Sequence, residues 1–410
     1  MVGLLLFLIL LSVVGYYLHR TFLNSLTLFY GIWGFIILLY SFQLSHHLND
    51  LSNRSLIVFF LTFAMFMVGY LVSFFVLNKT TSFETLREHQ PTAPQFILDI
   101  NQSLIDKGLA FIIIFTIIQG IFSGGYPLAW LLLGIGKNYT QYGIPTFNGL
   151  LMSFIIFFGT LLYILNKEKP QLRLQLYLLV IFFIPVLVIS RQVLVTLLIQ
   201  IAIIKLIYSK KINYKKVIPS SIILVTLFGL IGNLRTGLSK FVEVADIKSE
   251  SIPYLLSGFY WVYMYLTMTV ANLNSLFSKA NMEFAYGWNM LNSFFPTIIV
   301  DTLYIDSFTS KLSSYLVSIN FTVSGYMAKP YLDFGIIGLV VYTLVLGVLA
   351  YVVYHNFKKN INYLSLMIFV VFTQIILMSF FTDFLLYLPV SFQFFWIFVF
   401  RRYLYKPHKK

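Results

Sequence analysis

The stretch Ser55-Leu56-Ile57-Val58-Phe59-Phe60-Leu61-Thr62-Phe63-Ala64-Met65-Phe66-Met67-Val68-Gly69-Tyr70-Leu71-Val72-Ser73-Phe74-Phe75-Val76-Leu77 contains no charged side chain and no proline. As an α-helix rising about 1.5 Å per residue it reaches about 34 Å, enough to cross a hydrocarbon layer about 30 Å thick. Apolar runs of the same kind recur near 2–18, 22–44, 104–122, 146–165, 174–190, 192–209, 217–234, 332–354, 362–384 and 387–403. Two further stretches, 126–136 and 254–277, are apolar enough to be re-entrant, interfacial or spanning. The expected fold is all-α, a polytopic transmembrane helical bundle of about 11–12 spans, because only helices satisfy their own backbone groups in lipid.

Composition points the same way. Of 410 residues, 59% are hydrophobic and 10% charged, against about 25% charged in a soluble domain. Aromatic residues reach 19%, as suits a chain that meets membrane interfaces repeatedly. The first apolar run, 2–18, lacks a basic leader and a small-residue cleavage site, so it reads as a retained span. With no cysteine, disulfides and thiolate metal sites are excluded.

The net charge of +14 comes from 28 Lys and Arg against 14 Asp and Glu. A nucleic-acid surface would gather them in one stripe, whereas here they sit in short loops: Lys167, Lys169 and Arg173; Lys205, Lys210, Lys211, Lys215 and Lys216; Lys358 and Lys359; Arg401, Arg402, Lys406, Lys409 and Lys410. No nucleic-acid partner is expected. Such clusters mark the cytoplasmic side, which places the C-terminus there. The 174–190/192–209 turn, the residues after Leu234, the start of the 332–354 span and the turn near Asp383 then face outward. The chain divides into transmembrane helices over 1–234, a long, partly helical extracytoplasmic loop or lid over 235–331, and transmembrane helices with a basic tail over 332–410.

The outward side is where chemistry is sought. Arg191 stands at the apex of a hairpin with almost no connecting loop, where a charge needs compensation. It reads either as an anion site or as an arginine reaching for headgroups. Arg235 follows Gly232-Asn233-Leu234 at the same depth. Two guanidinium groups there can clamp a phosphate or pyrophosphate by paired hydrogen bonds; the plain alternative is a helix end with a flanking cation. Asp333, in Pro330-Tyr331-Leu332-Asp333-Phe334-Gly335-Ile336-Ile337-Gly338, reads equally as a helix cap and as a carboxylate that orients an arginine or accepts a proton. Asp383, in Thr382-Asp383-Phe384, is a second outward carboxylate. The tyrosines and tryptophans of 235–331 can stack on sugar rings or lie in the interfacial belt.

Several chemistries find no support. His46 and His47 point in different directions on a helix, so no metal site is expected. No Asp-x-Asp pair is present to hold a cation on a nucleotide-sugar, and Gly134-Ile135-Gly136-Lys137 lacks the spacing of a phosphate loop.

Taken in order, Tyr142-Gly143-Ile144-Pro145 through Gly149-Leu150, Ser190-Arg191, Gly232 to Gly237 around Arg235, and Tyr331 to Gly338 around Asp333 resemble the Wzy-type O-antigen and capsular polysaccharide repeat-unit polymerases from about residue 140 onward. The resemblance implies a metal- and nucleotide-independent glycosyltransferase of the bacterial cytoplasmic membrane. Such an enzyme joins undecaprenyl-pyrophosphate-linked oligosaccharides into a surface polymer at the outer leaflet. It implies pyrophosphate binding by Arg191 and Arg235; the acceptor hydroxyl then needs a base, such as Asp333 or Glu243 in the nearby loop. Asn233, Tyr142, Tyr331 and Asp383 would contact substrate. Membrane lipid, a flippase and a chain-length regulator would be partners, and no cofactor is expected. The chain departs from the Arg-ten-residues-Gly pattern of some members, since Ala202 and Asp246 stand where glycines are expected. It also has no histidine over 235–331. A flippase for the same lipid-linked glycan and a ligase-like transferase are the competing readings.

Overall fold

The structure, a computed structural model, describes residues 1–78, 100–137, 139–209, 237–249, 253–279, 284–295 and 308–404, together with 222, 225, 226 and 233. Six helices are long and apolar enough to cross a membrane: α1 Val2–His19, α3 Asn53–Leu77, α4 Gln102–Ser123, α6 Phe147–Glu168, α8 Arg191–Tyr208 and α11 Ala328–Lys359. Four shorter apolar helices accompany them: α2 Ser25–Tyr40, α7 Leu172–Leu187, α12 Tyr363–Leu377 and α13 Leu388–Val399. Between them lie α5 Pro127–Leu132, α9 Ser257–Ser278 and α10 Trp288–Leu291. Among the described residues there is no strand beyond two isolated bridges, Ser45 with Ile247 and Gly325 with Thr382. The chain is an all-α, multi-pass membrane protein. Ten of the eleven expected spans coincide with one of these apolar helices, and the eleventh, 217–234, lies largely outside the described residues.

Local chemistry sets the helix starts. Asn24 and Ser52 accept from Thr27 N and Ser55 N, and Asn362 with Ser365 forms a reciprocal cap. Each satisfies amide groups that the first helical turn leaves free.

Side-chain bonds at the helix ends fix how the helices run. Glu168, at the end of α6, accepts from Tyr208 at the end of α8 (2.9 Å) and from Tyr363 at the start of α12. Nearby in sequence, Arg173 at the start of α7 pairs with Asp106 at the start of α4 at 2.7 Å. The Asn78 amide after α3 meets the Tyr351 hydroxyl near the end of α11. The starts of α8 and α11 and the ends of α7 and α12 therefore share the opposite end of the bundle, which holds Arg191, Asp333 and Asp383.

The tightest crossing joins α3 and α11. A Cβ at Gly69 would overlap the Leu344 carbonyl, and one at Gly347 would overlap the Phe66 carbonyl. The two backbones approach as closely as small residues permit, a packing that drives helix association within lipid. Gly347→Val is expected to push the helices apart and cost about 1–3 kcal/mol or more, as overpacking does. Unfolding of the purified variant in detergent checks it.

At the Arg191 end two helices stop early. As 15- and 16-residue helices, α12 and α7 reach only about 23–24 Å, so the chain after α12 turns back within the layer. Ser379 Oγ accepts from Trp33 Nε1 at 3.0 Å, and Trp33 stands halfway along α2. Backbone this deep must be paired inside protein. Here Tyr326 N donates to Ser379 O at 2.8 Å, Thr269 Oγ1 donates to Phe380 O at 2.9 Å, and Asn272 Nδ2 donates to Phe321 O and Val323 O at 2.8 Å each. Two irregular segments, 317–327 and 378–387, thus line each other. The helix α9 belongs to the 235–331 segment and ties to both sides of the α2–α3 connection: Leu44 N donates to Tyr263 Oη (3.0 Å) and Ser52 N to Asn274 Oδ1 (3.0 Å). It is strapped across that end of the bundle.

The structure differs from the sequence reading in two spans: the run 362–384 is α-helical only over α12, Tyr363–Leu377, and the run 332–354 has a different start. Helix α11 starts four residues earlier than expected and breaks at Gly335, where φ is 65° and ψ −149°. Such angles suit glycine. The chain folds back sharply there, because a Cβ at Gly338 would come within 2.8 Å of the Pro330 carbonyl eight residues earlier.

Candidate functional site

The site grows from this break. Asp333 lies in the last turn before it and is fully buried. Its carboxylate accepts from Asn289 N (3.0 Å), Asn289 Nδ2 (2.8 Å) and Met290 N (2.9 Å). Backbone bonds run alongside, from Ala285 N to Leu332 O and from Tyr286 N to Asp333 O, both 3.1 Å. Both carboxylate oxygens are engaged by the first turn of α10, so Asp333 fastens the 284–291 segment to the broken helix. Of the two roles read from sequence, this geometry is that of a cap, applied across the fold instead of to its own helix.

Asp383 is different. Its Oδ1 caps the following turn through Leu385 N (3.1 Å) and Leu386 N (3.3 Å), while Oδ2 accepts from Tyr342 Oη at 2.7 Å. It is 2% exposed. Lys329 is itself buried in the first turn of α11 and lies within electrostatic reach of both Asp383 and Asp333. Tyr326 and Thr343 close the cluster, with hydroxyls 3.5 Å apart and the Tyr326 ring 6.4 Å from that of Tyr342.

Arg191 opens α8 two residues after Ile189, a positive-φ residue at 54°. Ser190 N donates back to Pro185 O at 2.8 Å, so the hairpin apex is tight and Arg191 is half-buried. Below it, α8 packs against α12. Thr196 lies twelve residues from Tyr208 and Gln374 eleven from Tyr363, so both stand about 17–18 Å above the shared Glu168 anchor. Thr196 Oγ1, Thr373 Oγ1 and both amide atoms of Gln374 are buried with no hydrogen-bond partner. Unsatisfied polar groups in such a setting call for a ligand or water.

The remaining sequence candidates are placed as follows. Asn233 joins the preceding segment to the start of α9: its Nδ2 donates to Ser257 Oγ (2.6 Å) and its Oδ1 accepts from Trp261 Nε1 (3.0 Å). Tyr331 is buried 4.6 Å from the Phe277 ring and receives a hydrogen bond from Arg54. Tyr142 is buried between α4 and α6, and its hydroxyl donates to Thr116 O at 3.4 Å. Glu243 is exposed on the helix Leu238–Ala245. Arg235 lies outside the described residues. Lys329 thus links Asp333 and Asp383, Tyr331 packs instead toward Phe277 and Arg54, Arg191 shares the carboxylates' end of the bundle, and Tyr142 belongs to a separate cluster.

Sequence reasoning missed Lys329 and Tyr342. The signal for Lys329 was present, since a lysine four residues before Asp333 in an otherwise apolar run has a buried partner more often than a headgroup. Tyr342 had no signal, because a tyrosine in a span reads as part of the aromatic belt. No family model matches the chain, and no curated protein or solved structure matches it.

Proposed function

We propose that the chain is a lipid-dependent glycosyltransferase that polymerises undecaprenyl-pyrophosphate-linked repeat units at the outer leaflet, with the Arg191 end of the bundle facing outward and the basic tail in the cytoplasm. One observation carries the reading. The buried ionisable groups Lys329, Asp333 and Asp383 and the unsatisfied polar layer of Thr196, Thr373 and Gln374 gather at the bundle end that holds Arg191, and the basic clusters mark the other.

The chemistry suits these residues. Displacing pyrophosphate from an anomeric carbon builds negative charge on the leaving group, which guanidinium groups at Arg191 and Arg235 stabilise. The acceptor hydroxyl gives up its proton to a carboxylate. Among the described residues, Asp333 and Asp383 are the buried carboxylates at this end of the bundle, and only Asp383 has a titratable side chain, Tyr342, as a hydrogen-bond partner. The leaving group is already activated, so the reaction draws on no nucleotide.

A second reading has its own support. The break at Gly335 and the irregular segments deep in the bundle are features of transporters, which favours a flippase for the same lipid-linked glycan. Surface glycan from a deletion strain separates the two. Single repeat units without long chains, restored to long chains by the wild-type gene, are expected for a polymerase. Lipid-linked units trapped on the cytoplasmic face would mark a flippase, and unchanged glycan would sink both.

A further inference from the structure

The junction between α4 and α6 holds two carboxamides with buried, unpartnered atoms. Gln119, one turn before the end of α4, is 1% exposed, and neither its Oε1 nor its Nε2 has a hydrogen-bond partner. Asn148, in the first turn of α6, has a buried Oδ1 that is likewise unpartnered. The two carboxamides meet across Gly143. A Cβ there would lie 2.5 Å from Gln119 Oε1 and 2.8 Å from Asn148 Cγ, and φ is +91°. The Gly143 amide is not available to either, since it donates to Ser123 Oγ at 2.8 Å.

Three aromatic rings surround the amides. Tyr142 lies 6.0 Å from Tyr126 and 6.4 Å from Trp130, centroid to centroid. Both tyrosine hydroxyls donate to Thr116 O at 3.4 Å, and Trp130 Nε1 donates to Gly124 O at 3.3 Å. Glycines again make room: a Cβ at Gly120 would meet Tyr126 at 2.5 Å, and one at Gly125 would meet Trp130 Nε1 at 2.8 Å. The nearby charge is Lys137, which sits at the rim, bonded to Ser123 O at 3.0 Å and 5.2 Å from the Trp130 ring. Among the described residues, none of the groups that surround the amides carries a charge.

An unsatisfied carboxamide near the end of a membrane helix is costly to retain, and apolar replacement at Gln119 would remove that cost. Carboxamides offer both donors and acceptors, as sugar hydroxyls require, and aromatic faces pack on the C–H face of a pyranose ring. The absence of buried charge disfavours phosphate or carboxylate ligands. We infer that Gln119, Asn148, Tyr126, Trp130 and Tyr142 form a binding subsite for a neutral sugar ring, apart from the cluster around Lys329 and Asp383. The inference rests on the proposed function only for the source of the sugar, a lipid-linked glycan.

The test is Trp130 fluorescence of the full chain in nanodiscs, titrated with the methyl glycosides of glucose, galactose and mannose and with N-acetylglucosamine. At least one is expected to give a saturable change that Trp130→Phe abolishes and that Gln119→Leu and Asn148→Ala each weaken on the order of tenfold, the scale of one or two lost hydrogen bonds. Gln119→Leu is also expected to raise the unfolding temperature. If no glycoside gives a response, or both amide variants respond like wild type, the inference is wrong and the amides hold only water. Competition by a lipid-linked repeat unit would assign the subsite to the lipid-linked glycan, and its absence to free sugar. No turnover is read, so a chain that binds sugar without polymerising it leaves the subsite standing.

Discussion

Asp383→Asn combined with Lys329→Met is expected to leave the protein as stable as wild type or more stable, whereas Asp383→Asn alone is expected to destabilise it. Asp383 and Lys329 are both buried and within electrostatic reach of each other. Replacing both members of a buried charge pair by neutral groups is neutral or stabilising by about 1–4 kcal/mol, whereas removing one leaves the other charge buried and costs about 3–5 kcal/mol. Unfolding of the detergent-solubilised variants measures both. A double variant much less stable than wild type would show that the pair is a structural fastening. A stabilising substitution that abolishes function is the mark of a site retained at the expense of stability.

Arg191→Ala is expected to abolish polymer while single repeat units persist, at expression and insertion equal to wild type. The guanidinium is asked to stabilise a departing pyrophosphate with paired, directed hydrogen bonds, and the loss of one such electrostatic contact costs about 10²–10³ in rate. Arg191→Lys keeps the charge and loses the fork, so it is expected to rescue poorly. The length distribution of surface glycan reads both. Long chains from Arg191→Ala would remove this residue from the reaction.

The membrane class and most of the helices were legible because a span is a local property. An uncharged, largely apolar run such as 55–77 reads as a helix wherever its neighbours lie. The break in α11 was half legible. The run Asp333-Phe334-Gly335-Ile336-Ile337-Gly338 displayed its glycines, but hydropathy averages across a fold-back and saw one continuous span. The role of Asp333 was a choice between two readings, and only the position of Asn289 and Met290, more than forty residues earlier, decides where its oxygens are spent. Gln119 and Gln374 were invisible in principle. A glutamine in a span is noteworthy only when its partner is missing, and partnership belongs to the folded chain. The pairing of 317–327 with 378–387 was equally beyond reach, since neither segment has a periodic pattern of its own.

Elongation by the purified chain tests the central claim most directly. The protein, reconstituted in liposomes with lipid-linked repeat units and supplied with neither nucleotide nor divalent cation, is predicted to produce a ladder of longer lipid-linked glycans, and Arg191→Ala is predicted to produce none. Folded wild-type protein that yields no ladder, or that only moves repeat units across the bilayer, would contradict it.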